Sequence, residues 1–169
     1  MKVFEAIRTL LAVRSYQDKP IADAAVRRIL EAGRMSGSAS NRQPWQFIVV
    51  QNRGTVRKIA AVARTGPYVA QAPLVIVVAI DRSIRFAVSD ASRAIQCMFL
   101  AAWADGVGSN WVGFGELEGV KELLNVPADL DVLAVLPFGY PVAALGHGRK
   151  KRKSLAEIAH RERFGRPFE

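Results

Sequence analysis

The chain has 169 residues, half of them apolar and 23% charged, with a formal charge of +9 at pH 7. That length suffices for a buried core, and the composition excludes a disordered or collagen-like chain. One cysteine and two histidines exclude an intrachain disulfide and an ordinary structural zinc site, while the positive excess favours anionic partners such as phosphates or nucleotides.

Val3 to about Leu11 reads as a short helix, with Phe4, Ile7, Leu10 and Leu11 at helical spacing. Glu5 and Arg8 interrupt any signal-peptide core, so a cytoplasmic location is expected. Val13 to Pro20 is extended. A second helix runs from Ala22 to about Met35, with Ala25, Val26, Ile29, Leu30 and Gly33 on its apolar face. A polar loop, Ser36 to Pro44, leads into Phe47–Val50, whose unbroken apolar run predicts a strand buried on both faces.

A helix from Gly54 to Arg64 and a second buried strand, Leu74 to Ile80, come next. The helix expected over Asp90 to Asp105 is apolar on nearly every side from Ala94 to Ala104, which places it in a core and a subunit interface. Cys97 within it is expected to be buried and inert. The remaining elements are a short strand at Asn110–Phe114, a helix at Leu117–Leu124, a strand at Leu133–Phe138 and a helix from Ser154 to Glu162 opened by a Ser154–Glu157 capping box. Strands alternating with helices predict α/β or α+β, with helices packed on a mixed sheet. No linker divides the chain, so residues 1–169 read as a single domain.

Three catalytic signatures fail. Gly37-Ser38-Ala39-Ser40-Asn41 lacks the second glycine of a nucleophile elbow. Gly113 to Gly119 has its third glycine one place late for a dinucleotide fingerprint, and there is no Walker A lysine motif. His147 and His160 read as surface residues. The run Arg149-Lys150-Lys151-Arg152-Lys153 is either a solvated loop or an anion grip.

Five stretches, in order, carry a family resemblance: Val13-Arg14-Ser15-Tyr16 with Asp18-Lys19-Pro20-Ile21; Asn41-Arg42-Gln43-Pro44-Trp45 before its apolar strand; Asp90 through Leu100-Ala101-Ala102 to Gly106-Val107-Gly108-Ser109-Asn110-Trp111-Val112-Gly113; Phe138-Gly139-Tyr140-Pro141; and Arg152-Lys153-Ser154-Leu155. Together they resemble the nitroreductase family of flavoproteins. The resemblance implies an α+β nitroreductase-like fold, a mixed central sheet flanked by helices, in an interlocked homodimer. It implies FMN at the subunit interface and ping-pong transfer from NAD(P)H to a nitroaromatic, quinone or related acceptor.

The residues are compatible with that chemistry. Lys150 and Arg152 suit a phosphate, and Arg14, next to Ser15, suits the flavin edge that gains negative charge on reduction. Ser38, Ala39 and Asn41 are candidates to reach the cofactor from the partner chain, and Gln43 either joins them or holds the loop. Trp111 is a candidate to line the ring pocket. Gly113 would offer a backbone N–H at close approach to the ring.

The chain departs from the family pattern in three places. Leu10, Leu11 and Ala12 stand where the family has Arg-Arg-Ser, and Gly37 replaces a proline. The phosphate grip therefore falls to Lys150 and Arg152, with Arg8 a further candidate. Between Asp81 and Asp90 there is little room for a helical lid, so an open substrate face and broad acceptors are expected. The alternative reading is a flavin- or deazaflavin-binding protein of the same fold without this turnover. Nucleic-acid binding rests on charge alone, without an aromatic platform or recognition helix.

Overall fold

The computed structural model describes residues 1–113, 115, 117–143 and 150–168. In chain order the elements are α1 (Val3–Thr9), α2 (Asp23–Arg34), β1 (Trp45–Val50), α3 (Arg53–Val62) and β2 (Leu74–Ile80). They continue with α4 (Ala87–Ala104), β3 (Gly108–Ser109), α5 (Glu118–Leu123), β4 (Asp131–Gly139) and α6 (Leu155–Ile158).

The sheet has the order β1-β2-β4-β3, and every pair of strands in it is antiparallel. The parallel element expected of a mixed sheet is a single bridge, Ala12 to Ser109, where the N-terminal segment joins the β3 edge. All seven residues of β2 are buried, because helices cover both faces of the sheet. Leu74, Ile76, Val78 and Ile80 pack with β4 residues Ala134, Leu136 and Phe138 against α2 and α4. The alternate residues Val75, Val77 and Ala79 face Val56 and Ile59 of α3 and Val120 of α5. A two-residue side-chain period thus divides the apolar residues between two cores, and each large side chain buried there contributes about 1.5–3 kcal/mol.

β1 corrects the expectation of a strand buried on both faces: Gln46 and Val49 are exposed. β1 is an edge strand, paired on one side only, so covering helices do not reach all of it. α4 begins three residues before the expected Asp90, its first turn following a turn at Asp81–Phe86 that contains no helix. One side of α4 is fully buried through Ala91, Ala94, Ile95, Met98 and Ala102, while Cys97 and Leu100 are only half-buried. Cys97 is therefore not the fully buried thiol expected from its neighbours, because it lies on the side of α4 turned away from the sheet.

Among the described residues, the strand expected at Asn110–Phe114 is only an isolated bridge between Val112 and Val135, and the strand that forms, β3, lies just before it at Gly108–Ser109. The ladder breaks where the Asn110 side chain takes the Trp111 N–H for itself, at 2.9 Å. Phe114, His147 and Arg149 lie outside the described residues. The last helix stops at Ile158 rather than Glu162. Beyond it the chain turns back through Gly165, with His160 bridged to Pro167 and its ring 4.4 Å from that of Phe164. The capping interaction forms as expected: the Ser154 N–H and hydroxyl both donate to Glu157 Oε2 at 2.9 Å. Among the described residues no helix is long and apolar enough to cross a membrane.

Candidate functional site

Two groups of candidate residues lie at different stations along α4. The first is the loop before β1. Ser40, Asn41 and Gln43 have φ values of 50°, 53° and 47°, three non-glycine residues in the left-handed region within four positions. That conformation costs about 1–2 kcal/mol per residue for L side chains. Strain of this kind persists only where surrounding bonds hold it, and it concentrates at functional sites.

The holding bonds are local, with one long-range tether. The Gln43 N–H donates to Ser38 Oγ at 3.0 Å, and Gln43 Nε2 donates to the Asn41 carbonyl at 3.1 Å and to Asn41 Oδ1 at 3.2 Å. Of its two expected roles, Gln43 therefore fills that of holding the loop. Ser38 Oγ is also engaged within the loop as an acceptor, and its O–H remains a donor. The Ala39 N–H donates to Asp90 Oδ2 at 2.9 Å. Asp90 is fully buried in the first turns of α4 and is also paired with Arg93. Asp90 was read from sequence only as part of the central helix. Its signal was an acidic residue at the start of an otherwise apolar helix, where the helix dipole favours a carboxylate.

The second group surrounds a cleft of about 300 Å³ beside the middle of α4. Its walls include Leu10, Leu11 and Ala12 from the N-terminal segment, Gln96 and Phe99 from α4, Ser109 and Asn110, and the side chains of Lys150 and Arg152. Lys150 and Arg152, far from the others in sequence, are thus brought beside the N-terminal segment and α4. Lys150 Nζ donates to the Ile7 carbonyl at 2.7 Å, and Arg152 Nη1 to the Lys151 carbonyl at 2.9 Å. Partial burial, and then the Arg152 charge, pull the Lys150 ammonium below the ordinary lysine value. Among the described residues neither cation forms an ion pair, so both retain donors for an anion. Arg8 is exposed on the last turn of α1 and does not line this cleft. Asn110 is committed elsewhere: its Nδ2 donates to the Tyr68 hydroxyl at 2.9 Å.

Arg14 and Ser15 are both exposed on the extended segment that follows the cleft wall. That segment is fixed by close packing, since a Cβ on Gly108 would come within 2.3 Å of Val13 Cγ2. Tyr16 anchors its far end, with the buried hydroxyl donating to the Val13 carbonyl at 2.6 Å. Burial, then Tyr68, push the Tyr16 phenol well above its usual range. Trp111 is half-buried against the α4 side of the sheet, and Gly113 sits beneath it. The packing gives glycine at 113 a reason of its own beside the expected one. A Cβ there would lie 2.4 Å from Trp111 Nε1, so close approach is already required by the indole.

From residue 90 to residue 99 the α4 axis advances about 13 Å, which separates the tethered loop from the cation cleft within one chain. The candidate residues thus fall into two groups: a strained polar loop, and a basic cleft with an apolar wall.

The model of the nitroreductase family matches residues 8–72 and 60–140. The chain belongs to the nitroreductase family. A relative from Methanothermobacter thermautotrophicus, provisionally named NADH dehydrogenase/NAD(P)H nitroreductase, is 38% identical over 149 residues, 83% of this chain and 78% of its own. An FMN reductase [NAD(P)H] from Bacillus subtilis is 25% identical, covering 96% of this nitroreductase and 74% of its own length. Among solved structures, a provisionally named nitroreductase from Desulfovibrio desulfuricans, in complex with FMN, superposes with a TM-score of 0.80 at 34% identity. That match covers 97% of this chain and 98% of the other.

Proposed function

We propose that this nitroreductase is an FMN-dependent oxidoreductase that uses NAD(P)H to reduce nitroaromatic, quinone or related acceptors. The observation that carries the reading is the cleft in which Lys150 and Arg152 converge beside α4 without an acidic partner among the described residues. Its chemistry fits a phosphate, which charge-assisted donors bind strongly. FMN, held there, would supply two-electron redox chemistry between reduced nicotinamide and the acceptor in a ping-pong sequence.

The chain's own residues have separable tasks. Lys150 and Arg152 neutralise the phosphate. Arg14, exposed beyond the cleft wall, presents a fixed positive charge to the flavin edge that becomes anionic on reduction. Trp111 closes an apolar wall, and the strained loop at 38–43 presents the Ser38 and Asn41 side chains to the cofactor of a second protomer. The turn at 81–86 leaves the substrate face without a helical cover, which suits varied acceptors.

The proposed assembly is a homodimer. Large apolar side chains remain exposed at both ends of the chain: Phe4 at 76%, Leu155 at 55%, Ile158 at 60% and Phe164 at 92%. Exposed side chains of this size are what a second copy would cover, and the half-buried side of α4 adds to them.

Purified protein is expected to be yellow, or to become so with FMN, and the mass of the co-purifying compound should be that of FMN. A colourless protein that takes up no FMN at micromolar concentration contradicts the reading. Leu10 and Leu11 on the cleft wall are the observation favouring the second reading, a flavin or deazaflavin binder without turnover. Oxidation of NAD(P)H by FMN-loaded protein in the presence of menadione rejects that second reading.

A further inference from the structure

Among the described residues, two buried side-chain polar atoms have no hydrogen-bond partner, and one of them, Ser109 Oγ, lies on the cleft. Ser109 is 2% exposed. Its backbone is held in place: it pairs with Phe138 across the sheet, and its carbonyl accepts the Val13 N–H at 2.9 Å. Its hydroxyl is unsatisfied. A buried polar group without a partner costs stability, and alanine would serve packing alone at no such cost. The expense makes sense if the partner is a ligand.

The position says which ligand atoms. Ser109 bridges Ala12 in parallel register, and both line the cleft with Leu10, Leu11, Lys150 and Arg152. Ala12 stands where the family pattern quoted above has a serine. A hydroxyl absent from one strand is thus present on the residue paired with it, in the same cleft as the two unpaired cations.

We propose that the Ser109 hydroxyl is a hydrogen-bond donor to the phosphate of the bound cofactor, in place of the hydroxyl that Ala12 lacks. The proposal rests on the FMN reading, and it makes the phosphate site one hydroxyl and two cations drawn from distant parts of the sequence. The apolar Leu10 and Leu11 then form a wall rather than a defect, because the donors arrive from β3 and the C-terminal segment.

The test is calorimetric titration of the apoprotein with FMN and, separately, with riboflavin, which has the same ring and ribityl chain but no phosphate. Ser109→Ala should weaken FMN about tenfold, as expected for one hydrogen bond to a charged group, with riboflavin affinity unchanged. The thermal midpoint of apo Ser109→Ala should not fall, because the hydroxyl lost had no partner. Adding Ala12→Ser to Ser109→Ala should recover most of the FMN affinity. Should Ser109→Ala fail to fold, Ser109→Cys keeps the volume with a weaker donor and should show the same selective loss. Unchanged FMN affinity, or equal weakening of FMN and riboflavin, overturns the proposal. Loss without recovery in the double variant overturns the substitution of one hydroxyl for the other. Wild-type protein that binds neither ligand instead removes the flavin reading beneath it, so the two failures are distinguishable.

Discussion

Asp90 is the residue on which the polar loop depends. Its buried carboxylate accepts the Ala39 N–H and pairs with Arg93, so it ties a strained loop to the most buried helix. Asp90→Ala leaves that N–H without an acceptor and should cost about 1–3 kcal/mol in urea denaturation, with a parallel loss of FMN affinity. Asp90→Asn keeps an oxygen for Ala39 and should retain most of both. Tyr16 offers a second test. Its phenol stays protonated when buried, whereas the unfolded phenol ionises near pH 10. A raised folded value means stability is fully present below pH 10 and declines as pH rises above it, at up to about 1.4 kcal/mol per pH unit. Tyr16→Phe should flatten that alkaline decline while costing about 1 kcal/mol at neutral pH for the bond to Val13. Residue roles were the least legible part of the sequence. Residue types nominate Ser38 and Gln43, but only the fold shows that Ser38 Oγ accepts the Gln43 N–H and that the Gln43 side chain donates to Asn41. Nothing in the local sequence marks Ser109, whose significance comes from a bridge to a residue 97 positions away.

Elements were more legible, and the misses have physical causes. β2 was readable residue for residue because seven consecutive apolar side chains suit only a strand covered on both faces. β1 shows a similar run, yet it lies at an edge, and burial there depends on sheet order rather than on its own residues. The strand expected at Asn110–Phe114 lies past β3 because a side-chain hydrogen bond at Asn110 interrupts the ladder there. The extended segment carrying Arg14 is placed by glycines: Val13 covers Gly108, and Tyr16 lies over Gly139, where a Cβ would approach Tyr16 Cδ1 to 2.7 Å. Gly108→Ala drives a methyl into a β-branched side chain that cannot rotate away. It should destabilise by about 1–3 kcal/mol and, by lifting the segment, weaken flavin binding. Denaturation and flavin titration on the same variant check both effects.

At the scale of the whole molecule, two helical layers enclose the sheet, and large apolar side chains stand exposed near both termini. The fold was legible because five ordered motifs span most of the chain. The proposed assembly has only a surplus of apolar residues on α4 as its sequence signal, since no single sequence records what a second copy covers. Sedimentation equilibrium should give twice the mass of the chain, and Phe164→Asp with Ile158→Asp should shift it toward the monomer if these residues are covered by the partner.

The central claim, that this nitroreductase uses bound FMN to carry electrons from NAD(P)H to an acceptor, is tested most directly by anaerobic spectroscopy of the reconstituted protein. The account predicts that NADH or NADPH bleaches the bound flavin's visible absorption and that menadione or a nitroaromatic then restores it. Flavin that binds but is bleached by neither nicotinamide, or that bleaches and is not restored by any such acceptor, would contradict it.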